Sequence, residues 1–115
     1  MRQLRLTMLM IVGVLGGAVY AQGPVQFADS NLKRAVEQKL GVDDPTPADM
    51  LDLTKLFASS RGIRDLRGIE SASNLTELDL ANNQITDLSP LAGLNKLVSL
   101  GLWNNRVSDL APLRV

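Results

Sequence analysis

Four acidic residues have the types and spacing that catalysis or metal binding would need. Glu77 and Asp79 are separated by one residue, which places both carboxylates on the same face of a β-strand. Asp87 and Asp109 fall in segments predicted to be turns. Neighbouring carboxylates can act as general acid and base, and several together can bind calcium. These four residues are therefore the candidates for a hydrolytic or calcium site.

The spacing of these acidic residues argues against catalysis. Asp87 and Asp109 are 22 residues apart and occupy equivalent positions of a repeated pattern. A catalytic pair is needed once, whereas an aspartate that recurs in every repeat is typical of a structural turn. The glycines are dispersed, apart from Gly16-Gly17 near the amino terminus, so no phosphate-binding loop is predicted. We therefore predict no enzyme activity and keep a carboxylate-based hydrolase only as a third alternative.

The composition excludes several other kinds of chemistry. The 115-residue chain contains no Cys and no His, which excludes thiolate or imidazole zinc sites, histidine-activated nucleophiles and disulfide scaffolds. Its 12 basic and 12 acidic residues balance. Arg61, Arg64 and Arg67 are interrupted by Asp65, which indicates a solvated face rather than a phosphate site. We predict no cofactor, no metal and no nucleic-acid partner.

Residues 1–21 have the pattern of a secretory signal peptide. Two arginines precede an uncharged apolar run over residues 6–18, and the segment ends in Val19-Tyr20-Ala21, with small or short residues at the positions that a signal peptidase inspects. A membrane anchor is the alternative, but a span needs about 20 apolar residues. This run is shorter and contains several glycines. We predict cleavage after Ala21, no stable membrane span afterwards, and a secreted, cell-surface or periplasmic location.

Residues 22–52 carry the signals of a short linker followed by two helices. Asp29 is placed to cap the first helix and Gly41 to end it. The apolar residues between them recur at helical spacing on one face: Leu32, Ala35, Val36 and Leu40. Thr46 and Pro47 provide a second helix start. Because a repeat array must not expose the apolar edge of its first coil to water, we interpret this segment as a lid over the repeats.

Residues 53–115 are built from a 22-residue repeat. In the clearest copy, residues 75–96, the pattern Leu-x-x-Leu-x-Leu-x-x-Asn-x-Ile is followed by Asp-Leu and Pro-Leu, and the incomplete copy at 97–115 repeats these types at the same offsets. A degenerate copy over residues 53–74 comes first, with Arg61 in the position of the Asn. One repeat cannot bury its own apolar side, so the period implies stacked coils that share one core.

Each coil is predicted to contain a short strand, in its Leu-x-Leu portion, and a convex side made of turns and a short 3₁₀-like segment. Neighbouring strands would pair as a parallel sheet about 4.8 Å apart. On the convex side of the second coil, Leu88, Leu91 and Leu94 are expected to point inward, and Pro90 to end the regular hydrogen bonding.

The repeat pattern resembles the leucine-rich repeat family, and the segment ahead of it is similar to the start of internalin-type bacterial domains. The residues that carry the second likeness are Phe27, Asp29, Leu32, Thr46, Pro47, Asp49, Gly62, Ile63, Asp65, Leu66, Gly68 and Ile69. The resemblance implies an α/β fold, a right-handed solenoid with parallel concave strands, a 3₁₀ and turn convex side, and an α-helical amino-terminal cap. It also implies that Asn83 and Asn105 turn their amides inward, and that the first coil turns differently because of Arg61.

The concave sheet is the binding surface that this resemblance implies. Its predicted outward positions are Thr54, Lys55, Phe57, Ser59 and Ser60, then Thr76, Glu77, Asp79, Ala81 and Asn82, then Val98, Ser99, Gly101, Trp103 and Asn104. The candidate protein-binding residues among them are Phe57, Glu77, Asp79, Ser99 and Trp103. Exposed tryptophan is typical of contact hot spots. The alternative for Trp103 is that it folds over its strand and shields the open end of the array.

Two functions are compatible with these features. We predict first a secreted, non-catalytic module that recognises a protein, in preference to a glycan, through its concave face. The alternative is an amino-terminal capping fragment of a longer array, with no ligand of its own, because the last coil stops at Val115, nineteen residues into its period. The apolar residues of that coil would then be uncovered. This edge is also the candidate surface for end-to-end self-association.

Overall fold

The computed structural model describes residues 23–114, which form three stacked coils with helices at the amino-terminal end. The predicted signal peptide, residues 1–21, lies outside the described residues. The helices and strands are α1 (Ser30–Leu40), α2 (Pro47–Met50), β1 (Lys55–Phe57), β2 (Glu77–Asp79) and β3 (Ser99–Gly101). A 3₁₀ turn follows each strand, at Ile69–Ser71, Ser89–Leu91 and Ala111–Leu113. This order matches the predicted solenoid with a helical cap.

Helix α1 begins and ends at the predicted residues. Asp29 Oδ1 accepts a hydrogen bond from the backbone N–H of Asn31 at 2.8 Å, and Gly41 ends the helix in the left-handed conformation, with φ of 71°. The apolar face of α1 is buried in the same core cluster as the leucines and isoleucines of the coils. The helix therefore covers the first coil, as the interpretation of this segment as a lid requires.

The helical cap is fixed to the first coil by further contacts. Helix α2 is capped by Thr46, whose Oγ1 accepts a hydrogen bond from the backbone N–H of Asp49 at 3.3 Å. In the extended segment before α1, the ring of Phe27 packs against Gly68, where a Cβ would lie 2.5 Å from a ring carbon. Gly68 has a φ of 110°, so both its backbone and its missing side chain are needed there.

The three strands form one parallel sheet in the order β1-β2-β3. The register pairs Leu56 with Leu78 and Leu78 with Leu100, so each residue lies beside the one that is 22 positions later in the chain. These central leucines point into the core, whereas the residues on either side of them point to the concave face. The repeat length therefore fixes which residues are neighbours on that face.

The convex side differs from the prediction in one detail. Leu88, Leu91 and Leu94 are buried, as predicted. Pro90 lies inside the 3₁₀ turn and does not end the hydrogen bonding, because the backbone N–H of Leu91 donates to the carbonyl of Leu88 at 2.9 Å and that of Ala92 to Ser89 at 3.1 Å. Proline is accepted there because the first few N–H groups of a helical turn, including that of the second residue, have no partner within the turn.

Asn83 holds two coils together through its side-chain amide. Its Oδ1 accepts hydrogen bonds from the backbone N–H groups of Arg61 and Ile63, both at 3.0 Å. Its Nδ2 donates to the carbonyls of Ala58 at 2.9 Å and Leu80 at 2.8 Å. Asn105 repeats the pattern one coil later, with its Oδ1 accepting from Ile85 and its Nδ2 donating to Leu80 and Leu102. The inward amide ladder implied by the resemblance is present.

The backbone turn after the first strand matches those of the later coils at Ser60 and differs from them at Gly62. Ser60 has a φ of 57°, close to the 58° and 57° of its equivalents Asn82 and Asn104. Gly62 is also left-handed, with a φ of 69°, whereas its equivalent Gln84 is not among the residues with positive φ. Arg61 itself is exposed and donates to the side chain of Gln38 on α1 at 2.6 Å. The predicted difference in the turn is therefore located at Gly62.

The third coil is less covered than the second. Leu100, Leu102, Val107 and Leu113 are only half-buried, and Leu110 is 63% exposed, although the equivalent residues of the second coil belong to the core. Strand β3 is an edge of the sheet. Within residues 23–114, no helix is long and apolar enough to cross a lipid bilayer.

Candidate protein-binding face

The concave face is arranged in rows that run across the three strands. One row contains Lys55, Glu77 and Ser99, and the next contains Phe57, Asp79 and Gly101. Pairing continues beyond the strands, because the N–H of Ser60 donates to the carbonyl of Ala81, and that of Asn82 to Trp103, both at 3.0 Å. A third row therefore contains Ser59, Ala81 and Trp103. All five predicted site residues lie in these three rows.

The two aromatic residues of this face are exposed. Phe57 is 58% exposed on β1, and Trp103 is 68% exposed just after β3. An indole that shielded the edge of the last coil would be largely covered, so this exposure favours the outward orientation of Trp103 over the alternative. The two residues lie on opposite sides of the sheet and in neighbouring rows, and they are the largest exposed apolar side chains of the concave face.

The row at the start of the strands is polar. Lys55 Nζ lies 3.5 Å from Glu77 Oε1, and both side chains are partly exposed. An ion pair of this kind contributes little to stability because water screens it. Ser99 completes the row and is exposed. Glu77 therefore faces a cation of its own chain, whereas Asp79 in the next row forms no salt bridge with any of the described residues.

Asp79 is held in a defined orientation. Its Oδ1 accepts a hydrogen bond from the backbone N–H of Ala81 at 3.0 Å, and it leans over Gly101, where a Cβ would lie 2.9 Å from the same oxygen. Gly101 thus provides the space that the carboxylate occupies. The sequence prediction counted Gly101 among the outward positions but not among the site residues. The sequence signal for this contact is that a glycine occupies the position equivalent to Phe57 and Asp79 in the other two coils.

One predicted outward position is wrong. Ala81 is only 2% exposed, although its equivalent Ser59 is exposed. Ala81 lies two residues after the middle strand, with chain segments about 4.8 Å away on both sides, and its short methyl group does not rise above them. The usable surface in this row is therefore Trp103 and Ser59.

The aspartates on the convex side have a structural role in every coil. The backbone N–H two residues later donates to Asp65 Oδ1 at 2.9 Å, to Asp87 Oδ1 at 2.8 Å and to Asp109 Oδ1 at 2.9 Å. Hydrogen bonds from the side chain and backbone of Arg67 hold the pKa of Asp65 below its ordinary value. Hydrogen bonds from the side chain and backbone of Ser89 lower the pKa of Asp87 in the same way. A general acid would need a raised pKa.

The acidic residues do not converge on one point. Asp79 lies on the concave sheet, and Asp87 lies in a turn on the convex side. Across residues 23–114, no three acidic side chains are close enough together to hold a metal ion. The concave face thus carries two exposed aromatic residues and one oriented carboxylate.

Comparison with known proteins identifies the repeats. The family model described as "Leucine Rich repeats (2 copies)" matches residues 51–93 and 73–115. A search of curated proteins gave no match. Among solved structures, an internalin (inlF) from Listeria monocytogenes is 32% identical, with a TM-score of 0.75. The alignment covers 81% of this chain and 29% of the internalin chain. Internalin C2 from the same species is 33% identical, with a TM-score of 0.76. The alignment covers 84% of this chain and 46% of internalin C2.

A third similar structure comes from another genus. It contains the CBM51-2 and INT domains of Clostridium perfringens ZmpB and is 35% identical, with a TM-score of 0.64, over 71% of this chain and 18% of its own. This chain thus spans less than half the length of each of these proteins. The family match covers more than half of the chain, and the structural matches include the cap. The chain belongs to the leucine-rich repeat family, and its repeats and helical cap are of the internalin type.

Proposed function

We propose that this chain is a secreted, non-catalytic module that binds a protein through its concave face. The observation that carries the proposal is the exposure of Phe57 and Trp103, at 58% and 68%, on a sheet whose backbone is held by parallel strand pairing. Aromatic residues on a rigid surface are frequent hot spots, because they bury a large area and lose few rotamers. Neither ring belongs to the core cluster, so both are available to a partner.

A protein is favoured over a glycan because of the way the candidate residues are distributed. Phe57, Glu77, Asp79, Ser99 and Trp103 spread over three strands and three rows. Small ligands usually bind in a concave pocket that covers most of their surface. An open face with separated aromatic contacts fits a partner of larger area.

The concave face is tested by crosslinking and then by substitution. A photo-crosslinking amino acid at Ser99 should capture a partner from extracellular protein mixtures, and the same group at Ser89 on the convex side should not. Binding of the captured protein should then fall by at least about thirtyfold in the double variant Phe57→Ala, Trp103→Ala, since even one hot spot contributes at least about 2 kcal/mol. Thermal unfolding should be unchanged because both side chains are exposed.

The matched control is Leu51→Ala, which removes an exposed apolar side chain outside the strands. It should bind the captured protein as the unsubstituted chain does. Unchanged affinity of the double variant, or equal capture from Ser89, would place the contact elsewhere and reject the concave face.

Export is proposed from residues 1–21 alone. Two arginines, an apolar run and small or short residues before the proposed cleavage site support it. The mass of the exported protein tests this step, since removal of residues 1–21 leaves an amino terminus at Gln22. An exported protein that retains Met1 would reject cleavage after Ala21.

A second candidate function rests on the third coil. Its half-buried leucines and the exposed Leu110 support a capping role, in which this chain closes the amino-terminal end of a longer array and binds no ligand of its own. The covering partner would be further coils or a second copy joined end to end. Self-association through the third coil distinguishes this candidate from the first.

A further inference from the structure

Phe57 and Trp103, the two aromatic residues of the concave face, are separated there by shorter side chains, and the space between them is called the gap. In the row of Phe57, Asp79 and Gly101, the third residue has no side chain and the Asp79 carboxylate leans over it. Trp103 lies beyond the gap, two residues after Gly101. Two strand spacings and one two-residue step separate the Cα atoms of Phe57 and Trp103 by roughly 12 Å. A group in the middle of this gap would thus have an aromatic side chain on each side and the Asp79 carboxylate beneath it.

The charge of this gap is not neutralised by the chain itself. Glu77 is paired with Lys55, but no basic side chain among residues 23–114 forms a salt bridge with Asp79. The hydrogen bond from the N–H of Ala81 at 3.0 Å fixes Oδ1, and Oδ2 accepts no hydrogen bond from residues 23–114. An oriented carboxylate without a cation is complementary to a positive group of a partner.

The neighbouring rings favour the same kind of group. A guanidinium or ammonium ion within about 6 Å of the centre of an aromatic ring is attracted by the ring's negative face, most strongly by tryptophan. Trp103 and Phe57 are the most exposed aromatic residues of the described chain. The rings and the carboxylate thus both favour binding of a cation that is carried on an apolar stem.

We propose that the gap between Phe57 and Trp103 binds a basic side chain of the partner, an arginine in preference to a lysine, against the carboxylate of Asp79. The inference rests on the proposed function, since it names the chemistry by which the concave face recognises a protein. Arginine is preferred because its planar guanidinium stacks on aromatic faces and is less strongly hydrated than an ammonium.

Trp103 makes a direct test possible because it is the only tryptophan of the chain. The probe is the peptide acetyl-Arg-Gly-Arg-amide, titrated while tryptophan fluorescence is recorded. The control peptide replaces both arginines by citrulline, which has nearly the same shape and no charge. We expect a saturable fluorescence change with the arginine peptide and an affinity at least about fivefold lower for the citrulline peptide. Added salt should lower the affinity for the arginine peptide and leave the affinity for the citrulline peptide unchanged.

Two variants test the carboxylate and the gap separately. Asp79→Asn should lower the affinity for the arginine peptide about threefold or more and should leave the citrulline peptide unaffected. Gly101→Ala should weaken binding as well, because its methyl group would displace the Asp79 side chain. Asp52→Asn, which removes an exposed carboxylate outside the strands, should bind as the unsubstituted chain does.

Several outcomes would overturn the proposal. Equal affinities for the arginine and citrulline peptides, no saturable change with either peptide, or an unaltered affinity in Asp79→Asn would each reject a cation site. The failure of this inference is separable from that of the proposed function. A captured partner that needs Phe57 and Trp103 but not Asp79 would reject the cation site and keep the concave face.

Discussion

At the scale of single residues, Asn83 is the polar side chain on which the stacking of the coils depends most. It is the one polar residue of the described chain that is buried, at 7% exposure, and its amide contacts the backbone at the end of the first two strands. Buried backbone groups that lose their partner cost about 1–3 kcal/mol each. No other side chain in this turn reaches the same groups, because Arg61 is directed outward to Gln38.

Replacing Asn83 by Ala should therefore destabilise the protein strongly. We expect the free energy of unfolding to fall by about 3 kcal/mol, measured by urea denaturation. The matched variant is Asn105→Ala, which removes the same amide one coil later, where it is only half-buried and water can replace part of its hydrogen bonds. It should cost about 1 kcal/mol. Equal losses in the two variants would show that burial does not decide the contribution of the ladder.

At the scale of elements, the junction between helix α1 and the first coil depends on Asp29. Its Oδ1 caps the helix through Asn31, and its Oδ2 accepts hydrogen bonds from the backbone N–H groups of Arg64 at 2.6 Å and Asp65 at 3.2 Å. Burial of the Asp29 carboxyl opposes its ionisation, but the hydrogen bonds from these backbone groups outweigh burial and hold its pKa below the ordinary value. One carboxylate thus joins the cap to the repeats.

The lowered pKa gives the junction a defined dependence on pH. Because Asp29 ionises more readily in the folded than in the unfolded chain, its contribution is fully present above the unfolded pKa of about 3.9. It is lost as the pH falls through the lower pKa of the folded chain. We expect Asp29→Asn to reduce the free energy of unfolding by about 1 kcal/mol at pH 7.

The difference between Asp29→Asn and the unsubstituted chain should shrink below about pH 4, because asparagine does not titrate. Thermal unfolding of both proteins at several pH values measures this difference. A difference that is the same at pH 3 and pH 7 would contradict the role given to the ionised carboxylate.

At the scale of the whole molecule, the two ends of the solenoid are covered differently. Helix α1 buries the apolar side of the first coil, whereas the third coil exposes Leu110 and the edge strand β3. An uncovered apolar edge beside an unpaired strand promotes association with a similar edge. We expect the exported chain, residues 22–115, to self-associate as its concentration rises.

Molecular mass in solution, measured over a hundredfold range of protein concentration, tests this expectation. Leu110→Glu should shift the chain to the monomer, because a charge in an apolar contact is costly. Ser108→Glu, which adds the same charge at an exposed polar position of that coil, should change the mass much less. A cooperatively folded monomer at every concentration would reject pairing through this edge and would favour the concave face as the main binding surface.

The strands of the coils, the register of the sheet and the leucines of the core were all predictable from the repeat pattern. The physical reason is the 22-residue period, since in-register stacking places equivalent residues side by side. The caps at Asp29 and Thr46 were also predictable, because a helix end is decided by the few residues next to it.

Contacts between segments that are distant in the chain were not predictable from the repeat pattern and are seen only in the folded protein. The structure shows that Asp29 reaches backbone groups 35 residues later, that Ala81 is covered by its neighbours, and that Gly101 leaves space for the Asp79 carboxylate. These features depend on the volume and direction of side chains on adjacent coils. A periodic pattern fixes which residues are neighbours, but it does not fix how much space each one leaves for the next.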